Sequence, residues 1–136
     1  MVGLLCSRAE LWGQEDDPAS FIGLTLAELM GVLGVPQSVY PVRGLETWQD
    51  DVVFVYNEGD FYIIKDRVWQ MGLKSAYRIR VGDPRAVVLL VLGDSAEDQG
   101  DYISYAMPSR GWPLTFRCNF DTAGRVSAMF IFRPDI

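Results

Sequence analysis

The chain reads as an α+β protein. It is expected to hold two tandem repeats of a short helix followed by three to four antiparallel strands, forming one continuous concave sheet with helices on the convex face. Three observations predict this. An apolar segment that opens on glycine and closes on Leu-Gly occurs twice, at a constant offset of 59 residues. Each copy carries helix start and stop signals. Each is followed by strand-like runs separated by tight turns, and connections so short make neighbouring strands antiparallel.

The repeat comes first because a missed period would misread the whole architecture. Ile22–Gly34 aligns with Val81–Gly93, with identical residues at 23/82, 27/86, 32/91, 33/92 and 34/93. In the first copy Thr25 and Glu28 have the spacing of a capping box, in which each side chain meets a free backbone N–H of the other. Leu26, Leu29, Met30 and Leu33 then give a one-sided apolar stripe. In the second copy Asp83 is placed as N-cap and Pro84 at the first helical position, where its missing N–H costs nothing. Ala86–Leu92 is a solid apolar run that could also be a buried strand; the Asp-Pro start and the match to the first copy favour a helix. Gly34 and Gly93 are the stops.

Strands follow in order. Asp51–Asn57 alternates, Asn57-Glu58-Gly59-Asp60 has hairpin-turn composition, and Phe61–Lys65 and Val68–Leu73 complete the first unit. Tyr77–Val81 is read as a fourth strand that links the copies. The second unit has Asp101–Met107, Leu114–Phe120 and Arg125–Arg133, with Asp121-Thr122-Ala123-Gly124 as its last turn. Arg67-Val68 and Met71 match Arg125-Val126 and Met129 at an offset of 58. The organisation expected is a flexible leader or signal-peptide remnant over 1–19, a first unit over 20–76 and a second over 77–136.

Alternation assigns faces. Leu114, Phe116, Cys118 and Phe120 should meet the helix, opposite Thr115, Arg117 and Asn119. Val126, Ala128, Phe130 and Phe132 are expected on the helix side, opposite Ser127, Met129, Ile131 and Arg133. Carried back to the first unit, this register puts Val53, Val55 and Val68 inward. It puts Phe54, Tyr56, Trp69 and Met71 outward, in a patch of the residue types that interfaces favour. The alternative is that these residues are covered by the 36–49 loop or by the other unit. Trp48 and Trp112 fall in loops and read equally as lids on the core or as contact residues.

A glycine, a capped short helix ending in Leu-Gly and three or four antiparallel strands with an aromatic near Tyr56 or Tyr105 resemble the unit of the β-lactamase-inhibitor-protein-like families. They also resemble the unit of the SmpA/OmlA (BamE-type) outer-membrane lipoprotein domain. The resemblance spans about residues 20–133, and two tandem copies resemble the former more. It implies a sheet whose open face carries aromatics and grips a protein partner, with an acidic hairpin residue, here Asp60, entering that partner. The chain is shorter than the inhibitor and lacks its paired disulfides. Candidate partner-binding residues are Phe54, Tyr56, Trp69, Met71, Asp60, Trp48, Trp112 and Arg117.

The composition is 49% hydrophobic and 12% aromatic over 136 residues, which suits a packed core and not a disordered chain. With no histidine, the commonest general base and metal ligand are absent. No phosphate loop, dinucleotide fingerprint or calcium-loop spacing occurs, and the acidic pairs read as turns and caps, so no enzyme, metal or cofactor is expected. The net charge is −6, concentrated as −7 in residues 1–68 against +1 in 69–136. That disfavours nucleic acid and suits either solubility or a basic protein partner. No apolar run is long enough to cross a membrane as a helix. Residues 1–17 read as an export-signal remnant or an ordinary leader; Cys6-Ser7 has the order of a lipid-anchored cysteine, but Leu5 is too large for a good cleavage site. The functional expectation is a non-catalytic protein-binding module in the periplasm or cell envelope, with the cytoplasm as the alternative. An envelope-assembly accessory of the BamE kind and a small-ligand or carbohydrate binder in the sheet concavity are the other readings.

Overall fold

The computed structural model describes residues 17–46 and 51–136. Two eight-residue helices, α1 (Leu26–Leu33) and α2 (Arg85–Leu92), lie against an eight-stranded sheet. Its strands are β1 (Ser38–Val42), β2 (Asp51–Tyr56), β3 (Gly59–Ile64), β4 (Arg67–Leu73), β7 (Glu97–Asp98), β8 (Tyr102–Met107), β9 (Leu114–Phe120) and β10 (Val126–Phe132). The order is β1-β2-β3-β4-β10-β9-β8-β7, and every pairing is antiparallel. The two central strands, β4 and β10, are the last of their respective halves. The expected linking strand at Tyr77–Val81 is outside this sheet: β5 (Ser75–Ala76) and β6 (Ile79–Arg80) form a separate two-stranded ribbon. Tyr77 and Arg78 take positive φ in its turn, a geometry that cannot continue a long strand. Strands β1 and β7 escaped the sequence reading, β7 through shortness and β1 because Pro36 and Pro41 broke the pattern.

The helix signals operate as expected, with one shift. The Thr25 hydroxyl accepts from the Glu28 amide at 3.1 Å and the Glu28 carboxylate from the Thr25 amide at 2.9 Å. These bonds hold the exposed Glu28 carboxyl below its ordinary pKa. Ala86–Leu92 is helical, but the N-cap is Pro84 and not Asp83. The Asp83 carboxylate instead accepts from the Arg80 amide, and Gly34 and Gly93 cap the C-termini at φ 81° and 73°.

The same local device recurs in both halves. Gly23 N–H donates to Val68 O at 2.8 Å, Val68 N–H returns to Leu24 O, and the Arg67 side chain donates to Gly23 O. In the second half Gly82 N–H donates to Val126 O at 2.8 Å, Val126 N–H returns to Asp83 O, and the Arg125 side chain donates to Gly82 O. Both β3–β4 and β9–β10 carry a bulge, with one extra residue after the paired valine: Trp69 after Val68 and Ser127 after Val126.

These bulges correct the expected register. An extra residue reverses the parity of everything beyond it. Val126 faces the helices, but beyond Ser127 it is Met129 and Ile131 that are fully buried there, while Ala128, Phe130 and Phe132 turn to the other face. In β4, Val68 and then Met71 and Leu73 face the helices. One row of the helix face runs Phe54, Phe61, Met71, Ile131, Phe116, Tyr105 across six strands. It belongs to a single core cluster with Leu29, Val88 and Leu92 of the helices. Leu114, Phe116 and Cys118 are on this face as expected. The residues assigned to a flexible leader also need correction at 17–19, because Asp17 and Ala19 are buried and a 3₁₀ turn spans Pro18–Phe21. Residues 1–16, including Cys6, lie outside the described residues.

Candidate functional site

The face away from the helices carries the second aromatic set. Its rows follow from the strand registers. One runs Val55, Asp60, Gly72, Phe130, Arg117, Ser104, and the next runs Tyr40, Val53, Tyr62, Gln70, Phe132, Thr115. Trp69, the bulge residue, joins this face: its ring meets Tyr62 edge-on at 6.5 Å, and its Nε1 donates to the buried Asp51 carboxylate at 3.2 Å. On the other side Tyr62 meets Phe130, also edge-on at 6.5 Å. The result is a chain of three half-buried rings, Trp69–Tyr62–Phe130, across β3, β4 and β10. Burial raises the Tyr62 pKa, with nearby Tyr40 and Asp60 adding to the shift.

Beside these rings is a cleft of about 660 Å³ whose lining includes Val55, Glu58, Asp60, Tyr62, Gly72, Lys74, Ser127 and Phe130. Gly72 keeps its floor low. A Cβ there would stand 3.5 Å from the Phe130 ring and 3.7 Å from Asp60, in ordinary van der Waals contact, so a side chain could be held there without forcing its neighbours apart. A second cleft, about 650 Å³, lies at the other end of the strands, between Asp51, Trp69, Lys65, Arg67, Arg133 and Asp135.

The expected partner-binding residues separate into groups. Trp69 faces outward. Asp60 does too, although it is a residue of β3 and not of the turn. Arg117 is on the outer face, stacked over the Tyr102 ring at 3.9 Å and bonded to Asn119. Phe54, Tyr56 and Met71 are corrections: they belong to the helix face. Met71 is fully buried, Phe54 packs against the core, and Tyr56 meets Phe61 edge-on while its hydroxyl donates to Gly34 O at 2.8 Å. Both alternations of β2 are apolar, so its pattern alone cannot choose a face; the Tyr56 hydroxyl finds its acceptor only on the helix side. Trp112 packs on the core cluster and against Gly23, with Arg133 over its ring at 4.8 Å. Trp48 lies outside the described residues. Tyr62 and Phe130 were missed. The signal available for Tyr62 was its i+2 relation to Asp60; Phe130 was hidden by the Ser127 bulge.

Cys118 is fully buried and burial pushes its thiol pKa up to about 12, so it is a core residue and not a nucleophile. Asp17 is buried, bonded to the Tyr77 hydroxyl, the Arg110 guanidinium at 2.6 Å and the Ala19 amide. Burial, and then this bond, raise the Tyr77 pKa. The network ties the start of the described chain to the β8–β9 loop and reads as structural. No group of residues suited to holding a metal occurs among the described residues. No described helix is long and apolar enough to cross a membrane.

No family model matches the chain, and no curated protein matches it in sequence. Solved structures share the fold. An extracellular protein containing an SCP domain, from Bacillus anthracis, aligns at TM-score 0.55 and 14% identity, over 90% of this chain and 48% of that one. A cysteine-rich secretory protein from Staphylococcus aureus aligns at TM-score 0.53 and 11% identity, over 93% and 49%. This chain thus spans about half the length of each. A Streptococcus mutans protein described as a candidate β-lactamase inhibitor aligns over 96% and 95% at 11% identity, but its TM-score of 0.31 carries no argument. At such identities the likeness is one of fold.

Proposed function

We propose that this chain is a non-catalytic protein-binding module that grips its partner with the outer face of the sheet. The observation that carries this is the line of rings Trp69–Tyr62–Phe130 beside the open cleft over Gly72, on the face the helices leave uncovered. Aromatic side chains offer large contact area at small entropic cost, which is why they anchor protein interfaces. The chain has no histidine, the commonest general base, which is in keeping with action by contact. In this reading the molecule is a duplicated unit, 20–76 and 77–136, sharing one sheet. The recurring Gly–Val–Arg device and the paired bulges support the duplication. The neighbours described as extracellular and secretory support an exported, envelope-associated role, of which assembly work of the BamE kind would be one form.

Capture from cell-envelope extract tests the surface. Wild type and a helix-face variant, Val32→Ser/Leu90→Ser, should recover the same partner, and Tyr62→Ala/Phe130→Ala should lose it. Gly72→Val, which fills the cleft without removing a core contact, should lose it too. Equal recovery by all four proteins sinks the proposal.

A further inference from the structure

The outer face holds an unmatched charge. Among the described residues the Asp60 carboxylate has neither an ion pair nor a hydrogen bond, although it stands at the edge of an aromatic cleft. The only cation among the residues lining that cleft, Lys74, makes no ion pair with it, and Glu58 adds a second negative charge to the rim. The aromatic rings show the same asymmetry. Each of three arginines lies over a ring of its own chain: Arg85 over Phe120, Arg117 over Tyr102 and Arg133 over Trp112. The rings of the cleft, Tyr62 and Phe130, carry no such cation among the described residues. Arg117, the neighbour of Phe130 in the outer row, is held away by Tyr102 and Asn119.

Resting on the binding surface proposed above, we infer that the cleft over Gly72 receives a cationic side chain, arginine or lysine, from a basic segment of a partner protein. The cation would lie in the cleft against the rings of Tyr62 and Phe130, with its charge on Asp60. A ring face attracts a cation most strongly when water is partly excluded, and an adjacent carboxylate adds a charge-assisted hydrogen bond. Arginine fits best, since its planar guanidinium stacks on an aromatic ring while forking onto a carboxylate. Gly72 supplies the room: any side chain there would occupy the space the cation needs. Glu58, beside Asp60 on the rim, adds to the negative potential that would draw a basic segment to this cleft.

The test uses the whole chain and small probes. The amide resonance of Gly72 and the indole resonance of Trp69 are followed while N-acetyl-arginine amide, N-acetyl-lysine amide or the uncharged isostere N-acetyl-citrulline amide is added. The arginine probe should shift Gly72 saturably in the millimolar range, and citrulline should bind about tenfold more weakly. Asp60→Asn, whose other resonances report an intact fold, should bind arginine no better than citrulline. Lys74→Gln should bind arginine at least as well as wild type. The inference is overturned if arginine gives no saturable shift at Gly72, if citrulline binds equally, or if Asp60→Asn keeps full affinity. Capture separates the two proposals. A partner kept by Asp60→Asn but lost by Tyr62→Ala/Phe130→Ala leaves the surface standing and removes the cation. A partner kept by both variants removes the surface itself.

Discussion

Gly23 and Gly82 stand at matched positions with nearly the same backbone, φ 94° and 99°, yet the demands on them differ. A Cβ at Gly23 would overlap the six-membered ring of Trp112, whereas nothing lies within 4 Å of one at Gly82. Gly82→Ala is therefore charged only for left-handed backbone, about 1 kcal/mol. Gly23→Ala adds overpacking against an indole that cannot easily retreat, for a total of about 3 kcal/mol. Urea unfolding of the two variants measures the difference; equal losses would show that Trp112 yields freely. The pair also shows what a sequence conveys at this scale. The glycines, their stops at Gly34 and Gly93, and the Thr25–Glu28 box were legible because each is a local device. That Trp112 seals one glycine and not the other was not legible, because that contact closes a loop of nearly ninety residues.

At the scale of elements the decisive feature is the bulge. Both helices and six of the eight sheet strands could be read from periodicity and turn chemistry. The faces of β4 and β10 could not. Alternation is a parity rule, and one inserted residue at Trp69 or Ser127 inverts it for the rest of the strand. The exchange explains why Met71 moved from the expected surface to the core and Phe130 from the expected core to the surface. In β2 the cause is different, since Val53, Val55, Phe54 and Tyr56 make both faces apolar. Deleting Ser127 would leave Val126, Met129 and Ile131 on the helix face and Ala128 and Phe130 opposite them, now in simple alternation and in the same pairing with β9. The expected cost is no more than about 2 kcal/mol, with a cooperative urea transition kept. Ser127→Ala, at an exposed position, should stay within about 0.5 kcal/mol of wild type. A deletion that abolishes the cooperative transition would mean that Ser127 is more than an extra residue in the register.

The whole molecule is a sheet with unequal faces and unequal ends. One face is filled by the helices and a single core. The other is aromatic and acidic over β2, β3 and β4, and more polar over β8 and β9, where Ser104, Thr115 and Asn119 point outward beside the Arg117–Tyr102 stack. The two edges differ too: β7 is two acidic residues, which discourages further pairing, while β1 is longer, uncharged and exposed. The same local hydrogen-bond device recurs in both halves, yet the outer face differs between them. In the proposed mode of binding this face, and not the helix side, meets the partner. The helix side has its own exposed apolar residues, Leu90 at 83% and Val32 at 65%, so the choice must be measured. A photo-reactive benzoylphenylalanine placed at Gln70 in one protein and at Leu90 in another, irradiated in cell-envelope extract, decides between them. A discrete partner adduct is expected from position 70 and none from position 90; an adduct from position 90 alone would show that the helix side is the contact face.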